Sequence, residues 1–295
     1  MKKTLVYTVA FPQTDKYYKE IFNSLNGQDT CDFDFLIVRE NVNIDIYLQG
    51  FNVDIKIIDV IGETTPIKNR MLAINYGIDN KYENIIAIDI DDVMDKNRIS
   101  KIIRGLSKCD IYVHDLRIIN EDSRVIKKSF INSRVNNDKI LDFQDIMFYN
   151  FIGFGNMGFK SEWIKRAFPI PKEIIAVDWW IASTMLLEGA KAIYSDEVLI
   201  SYRQYDNNIA SLEIDSVEIF LKQLEVVYWH YHNILKRYDL LEKSEFYNSY
   251  IKITSAMSNK DRKKLAREII NEDTKQVNPM FWWEKVHLVL EKGLI

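Results

Sequence analysis

The chain has 295 residues, 47% hydrophobic and 28% charged, which is too apolar for disorder and long enough for one large domain or a domain with an appendage. A net charge of −4 carries no global basic bias and argues against a nucleic-acid partner. No segment approaches the roughly 18 consecutive apolar residues of a membrane span, and the two cysteines, Cys31 and Cys109, lie far apart without metal-type spacing, as expected of reduced, buried thiols in a cytoplasmic protein.

Met1-Lys2-Lys3 followed by Leu5–Phe11 mimics a signal peptide, but the apolar run is too short and reads as a first strand, Thr4–Ala10. Pro12 stops it, and Asp15 is placed to cap a helix to about Leu25, with Tyr17, Tyr18, Ile21, Phe22 and Leu25 at helical spacing. Phe33–Val38 is a second strand ending in Arg39-Glu40-Asn41, and Val53–Val60 a third. After the break at Gly62–Pro66, Ile67–Tyr76 reads as a helix with Lys68, Asn69 and Arg70 in its first turn. Cations there oppose the helix dipole, so they serve a ligand or simply point to solvent.

Ile85-Ile86-Ala87-Ile88-Asp89-Ile90-Asp91-Asp92 is the most informative stretch. Its apolar run has the pattern of a strand buried on both faces, and it ends in three acids within four positions. Unpaired carboxylates are costly to bury, so they belong just past the strand, at the edge where open α/β sheets bind ligands. Acids so placed suit Mg²⁺ or Mn²⁺ carrying a phosphorylated ligand, although an acidic turn is also an ordinary solvated loop. An EF-hand is excluded, because Met94 stands at the loop-glycine position and Ser100 at the glutamate position. A phosphate loop of the GxxxxGK[ST] kind is missing, as is a Gly-x-Gly-x-x-Gly after the first strand. A helix from about Lys96 to Leu106, a strand at Asp110–Asp115 and a hairpin over Leu116–Ile126 complete a first half in which strand and helix alternate. That alternation implies a mostly parallel, doubly wound sheet.

After the polar stretch Asn132–Lys139 the character changes. Phe151–Lys160 holds three of the ten glycines, a mark of close approach by a ligand or another backbone. Val177–Gly189 is a helix opening on Asp178 with Trp179 and Trp180. Ala192–Tyr194 and Val198–Tyr202 are short strands leading into Arg203-Gln204-Tyr205-Asp206-Asn207-Asn208. The remainder reads as helical: Val217–Arg237, Glu245–Met257, Asp261–Ile270 and Met280–Lys292.

Taken in order, these stretches resemble family 2 glycosyltransferases of the GT-A fold, bacterial surface-polysaccharide type, over roughly Leu5 to Ala210. Asp89-Ile90-Asp91-Asp92, with Asp95 and Arg98, resembles the DxD region and its continuation. Ser24-Leu25 with Gln28 resembles the "SLxxQ" motif, Lys68-Asn69-Arg70 the "arN" helix start, and Gly155–Lys160 the acceptor-side strand. Val177-Asp178-Trp179-Trp180 resembles the "ED" helix start, and Tyr202-Arg203-Gln204 with Asn207-Asn208 the "YRqHgnN" ending. Three positions depart from the pattern: Ala10-Phe11-Pro12-Gln13 replaces P-T-Y-N, Glu40 replaces the uracil-holding aspartate, and Tyr205 stands where histidine is frequent.

The resemblance implies a GT-A α/β fold, with a mostly parallel Rossmann-like sheet flanked by helices and a C-terminal helical extension. The transferase domain would span residues 1–210, donor half 1–115 and acceptor half 116–210, with 211–295 as the extension. It implies a metal-dependent, inverting transfer from a nucleotide sugar, UDP-sugar favoured, to a glycan or lipid-linked glycan acceptor in surface polysaccharide synthesis. Asp91 would bind Mn²⁺ or Mg²⁺ with Asp92 assisting and Asp89 on the ribose or a metal-bound water. Ala10, Phe11, Pro12, Gln13, Glu40, Lys68, Asn69, Arg70, Asp89 and Ile90 would line the donor. Gly158, Trp179, Trp180, Arg203 and Gln204 would face the acceptor, and Asp178 would be the general base; by itself Asp178 also reads as a helix N-cap, and the tryptophans as core. Arg203 and Gln204 would lie on a loop closing over donor or acceptor. The tail with Trp282, Trp283, Lys285 and Leu288 either packs on the catalytic domain, the favoured reading, or forms an amphipathic surface helix touching the inner face of a membrane or a partner, an oligomer included. Two other classes compete: a sugar-nucleotide nucleotidyltransferase, whose glycine-rich basic loop is missing, and an inactive nucleotide-sugar-binding protein, which should lack the intact acids.

Overall fold

The computed structural model describes residues 2–62, 64–205, 216–239, 244–258, 263–264, 266–267, 270 and 281–291. The expected helix at Asp261–Ile270 falls largely outside them, as do Asn207-Asn208, Met280 and Lys292. By contacts the chain divides into two units that interleave in sequence. The first comprises Met1–Leu141, Ile152–Phe168 and Glu188–Asp206; the second comprises Asp142–Phe151, Pro169–Leu187 and Asn207–Ile295.

In the first unit, aliphatic and β-branched runs build one mixed sheet. Its strands are β1 (Thr4–Ala10), β2 (Asp34–Glu40), β3 (Ile55–Val60), β4 (Asn84–Ala87), β5 (Val93–Met94), β6 (Ile111–Ile119), β7 (Val125–Lys127), β8 (Ile140–Leu141), β9 (Met157–Lys160) and β10 (Ala192–Arg203). The order is β3-β2-β1-β4-β9-β6-β10-β5, with β7 on β6 and β8 on β10. Strands β1 to β4 are parallel, β10 is parallel to β6, and β9 and β5 run against their neighbours, so the sheet is not purely parallel. Because β1, β2 and β4 are parallel neighbours, their C-terminal ends share one edge.

Two expected short strands near 192–202 are one, β10, with register shifts between Ser195 and Ile200. The polar Ser195-Asp196-Glu197 interrupts the apolar pattern but not the strand, because a bulge absorbs it. Asp15 caps nothing: it lies in a 3-10 turn, Pro12–Tyr17, ahead of α1 (Tyr18–Asn26). Helix α2 (Pro66–Asp79) starts at Pro66, with Thr65 Oγ1 accepting from the Lys68 amide. Helix α3 (Arg98–Leu106) packs Ile99, Ile102 and Leu106 into the cluster that holds Ile86, Ile88 and Ile90. Ser24 and Gln28 tie α1 to the start of α3. Ser24 Oγ accepts from the Met94 amide at 3.3 Å. Gln28 donates to Asp95 O at 2.9 Å and accepts from the Ile99 amide at 3.1 Å. A short helix α4 (Ser161–Ile164) follows β9.

The second unit is helical: α5 (Val177–Leu187), α6 (Val217–Arg237), α7 (Glu245–Ser258) and α8 (Glu284–Glu291). Nearly every residue of α5 is buried. Trp179 stacks on His230 with ring centroids 3.7 Å apart and donates its indole N–H to Ile146 O at 2.7 Å. Phe148 stacks on His287 at 3.8 Å. Trp282, Trp283 and Lys285 are buried, and α8 packs on α6 and α7, which corrects the surface-helix alternative. Among the described residues no helix is long and apolar enough to cross a membrane. Of the cysteines, Cys109 is buried, its thiol pushed up to about 11 by burial, but Cys31 is exposed, contrary to expectation.

Candidate active site

Strand β4 ends at Ala87, and the acids follow in a turn closed by the Asp92 amide on Asp89 O at 3.2 Å. The turn is short because β5 begins at Val93 and is held against β10. Asp92 is 1% exposed, so the expectation that these acids stay out of the interior holds only in part. Asp92 Oδ1 accepts from the Arg203 amide at 2.9 Å, while Oδ2 is buried with no partner. Asp91 Oδ2 accepts from the Tyr205 hydroxyl at 2.8 Å. Asp89 is ion-paired with Arg70, whose guanidinium lies 5.1 Å from the Phe154 ring centroid.

Gly155 closes this cradle. A Cβ on it would lie 3.2 Å from Asp92 Oδ2 and 3.5 Å from Asp89 Oδ2. Two carboxylate oxygens therefore converge on a space that any side chain would fill. Burial raises the carboxyl of Asp92 well above its usual range, with the charges of Asp91 and Asp89 adding to it. Burial and Asp89 raise Asp91. A divalent cation would add positive charge beside the one buried carboxylate oxygen that has no partner, Asp92 Oδ2, and hard oxygen donors suit Mg²⁺ and Mn²⁺. Among the described residues no group of three or more His, Cys, Asp or Glu side chains is placed to hold a metal ion by itself. The protein would thus give a partial set, to be completed by ligand oxygens and water, a pattern familiar for Mg²⁺.

Beneath the turn, Arg98 is fully buried. Its guanidinium donates to Ala87 O at 3.0 Å, Gly155 O at 2.8 Å and His114 Nε2 at 3.1 Å. Burial lowers Arg98 to about 10, and burial with the Arg98 charge lowers His114 to about 3. His114 is accordingly neutral, with Nδ1–H on Asp115 O at 2.8 Å.

Several expected ligand contacts are corrected by these positions. Arg203 is not on a closing loop. It ends β10, fully buried, donating to Asp91 O at 2.8 Å, Glu121 O at 3.0 Å and Ser123 Oγ at 2.9 Å. Its task is to bind the hairpin to the acid turn. Gly158 serves helix packing rather than an acceptor, since a Cβ there would lie 2.2 Å from Ile102 Cγ2. Trp179 and Trp180 are 0% and 1% exposed and offer no ring face to a sugar. Ile90 is core. Asn69 is fully buried and occupied, donating to Glu40 Oε2 at 3.0 Å and accepting from Thr64 Oγ1 at 2.8 Å. It positions Glu40 rather than meeting a donor.

Ala10 is buried at the end of β1, Phe11 half-buried, and Pro12 and Gln13 exposed, all at the edge that carries Glu40 and the acids. Lys68 is exposed on the first turn of α2. Gln204 is half-buried, its amide on Ile119 O at 2.9 Å. Asp178 lies in the second unit, at the second position of α5 and half-buried, its Oδ1 accepting from the Trp179 amide at 2.8 Å. It is therefore not the N-cap. Sequence reasoning placed Arg98 in the continuation of the acid motif and Gly155 in the acceptor-side strand, but not in the cradle itself, and it gave Tyr205 no role.

Solved structures share this architecture. S. aureus TarS residues 1–349, in complex with UDP-GlcNAc, matches with a TM-score of 0.59 at 14% identity over 94% of this chain and 76% of that one. The mannosyltransferase PcManGT from Pyrobaculum calidifontis, in complex with GDP-Man and Mn²⁺, matches with a TM-score of 0.59 at 11% identity over 99% and 79%. The chain has a glycosyltransferase fold of the GT-A type. A longer TarS structure matches with a TM-score of 0.60, but this chain spans only 49% of it. No protein-family model matches the sequence, and no curated protein does.

Proposed function

We propose that the chain is a metal-dependent, inverting glycosyltransferase that moves a sugar from a nucleotide sugar to a glycan or lipid-linked glycan in surface polysaccharide synthesis. The observation that carries it is the cradle: Asp89 and Asp92 oxygens converging over Gly155, one of them buried and unpartnered, at the C-terminal edge of parallel strands. The glycosyltransferase fold supports the reading, and so do the donors bound by its neighbours, UDP-GlcNAc in TarS and GDP-Man with Mn²⁺ in PcManGT.

Asp91, Asp92 and Asp89 would hold the ion, which when bound neutralises charge on the diphosphate. Arg70, kept at the turn by Asp89, adds a guanidinium whose fork suits phosphate oxygens. Glu40, fixed by Asn69, and Ala10–Gln13 receive the nucleoside, with uridine favoured. Asp178 is the base in this reading: its carboxylate takes the proton of the acceptor hydroxyl. The oxygen bonds to the anomeric carbon on the face opposite the diphosphate, whose glycosidic C–O bond breaks with the electron pair leaving on phosphate oxygen.

Calorimetric titration with UDP, GDP and dTDP and their sugars, with and without Mn²⁺, tests the reading. Binding of a nucleoside diphosphate that requires the ion is expected. No binding of any of them in the presence of Mn²⁺ would overturn it.

A further inference from the structure

The motif order gives Tyr205 no task, yet it makes the most direct side-chain contact with Asp91. Its hydroxyl donates to Asp91 Oδ2 at 2.8 Å. The same aspartate is held through its main chain, where Arg203 Nε donates to Asp91 O at 2.8 Å. Tyr17 backs both residues: its ring centroid is 6.1 Å from that of Tyr205 and 4.4 Å from the Arg203 guanidinium. The end of β10 thus grips Asp91 at backbone and carboxylate together. A carboxylate has about four lone-pair directions, so a phenol on one oxygen leaves the other open to a cation.

We propose that Tyr205 is a positioning residue for the cation, fixing the Asp91 carboxylate through Oδ2 so that Oδ1 meets a hard divalent ion. The inference rests on the metal-dependent reading above. Hydrogen bonds to ligating carboxylates orient them, and such partners matter nearly as much as the ligands. The side-chain atoms at the turn able to ligate a cation are oxygens, those of Asp89, Asp91, Asp92 and Tyr205. Imidazole nitrogen is not on offer from His114, whose two ring nitrogens are taken by Arg98 and by Asp115 O. An all-oxygen set suits Mg²⁺ and Mn²⁺ and offers no nitrogen or sulfur donor of the kind that favours Ni²⁺, Cu²⁺ or Zn²⁺.

Electron paramagnetic resonance titration of Mn²⁺ into the full chain with saturating UDP or GDP tests this, with Mg²⁺ as competitor. Wild type is expected to bind Mn²⁺ and to release it to Mg²⁺. Tyr205→Phe keeps the ring and should weaken Mn²⁺ binding by about 10–100-fold, with an unchanged melting temperature in metal-free buffer. Tyr205→Gln restores a donor and should recover most of the affinity. Mn²⁺ affinity in Tyr205→Phe equal to or tighter than wild type overturns the assignment. So does a loss that Tyr205→Gln shares in full, which would mean that a hydrogen-bond donor at this position does not orient the Asp91 carboxylate. Wild type that binds no Mn²⁺ with either nucleotide sinks the metal-dependent reading itself, a result distinct from a silent Tyr205→Phe.

Discussion

Replacing Arg98 with Met tests whether one buried guanidinium holds the acid turn in shape. The side chain is 0% exposed and serves three acceptors: Ala87 O, Gly155 O and His114 Nε2. Met fills much of the same space, so a cavity is not the main loss; donors are. Ala87 immediately precedes the acid turn and Gly155 faces its carboxylates, so the substitution unties both walls of the cradle. Each stranded buried acceptor costs about 1–3 kcal/mol. Removing one partner from a buried charged group costs about 3–5 kcal/mol. The two figures describe the same loss and do not add. Relief of the desolvation that lowers Arg98 itself works in the other direction. We expect a net loss of about 3 kcal/mol, large against a typical stability of about 5–15 kcal/mol but not enough to unfold the chain. With Arg98 gone, Asp92 loses a stabilising charge and holds its proton more tightly, so ion-dependent nucleotide binding should weaken more than tenfold. Urea unfolding followed by tryptophan fluorescence gives the first quantity and calorimetry with Mn²⁺ the second. A stability loss below about 1 kcal/mol together with wild-type nucleotide affinity would refute the reasoning, since orphaned acceptors cannot cost so little.

Asp178→Asn should leave nucleoside-diphosphate binding nearly intact and lower turnover at least about 100-fold; near-normal turnover on an acceptor the enzyme uses would remove Asp178 as the base. Gly158→Ala brings a methyl to 2.2 Å from Ile102 Cγ2, and such overpacking should cost about 1–3 kcal/mol. An acceptor KM that rose while stability held would restore Gly158 to the binding site. His114 and His230 are fully buried with values lowered to about 3, below the unfolded range. Their contribution is therefore complete above about pH 6.5 and declines as pH falls toward 3, by about 1.4 kcal/mol per pH unit for each. Asp91 and Asp92 carry the opposite sign, because their raised carboxyls take up protons early and acidification relieves their repulsion. His230→Phe should flatten the acid limb by about one proton in unfolding experiments near pH 6, 5 and 4; a limb as steep as wild type would contradict its burial as a neutral ring.

The sequence by itself determined where the first sheet strands run and where the acids fall. Runs such as Thr4–Ala10 and Ile85–Ile88 are apolar enough to be buried on both faces, and period and composition are local properties of the chain. It also determined the turn chemistry at Thr65-Pro66, although the helix start was expected one residue later. Only the tertiary structure decided which polar residues serve the site and which serve the fold. Arg203 and Asp91 are 112 positions apart, and Arg98 and Gly155 are 57 apart. No local pattern encodes those meetings, so a buried structural arginine and a ligand-binding one look alike in sequence. The same holds for Trp179, which reads as a sugar platform until His230 is found 3.7 Å away on its face. Gly155 and Gly158 differ by three positions, yet one opens onto carboxylates and the other onto Ile102, because the strand and the helix packed on it, not the glycine, choose the neighbour.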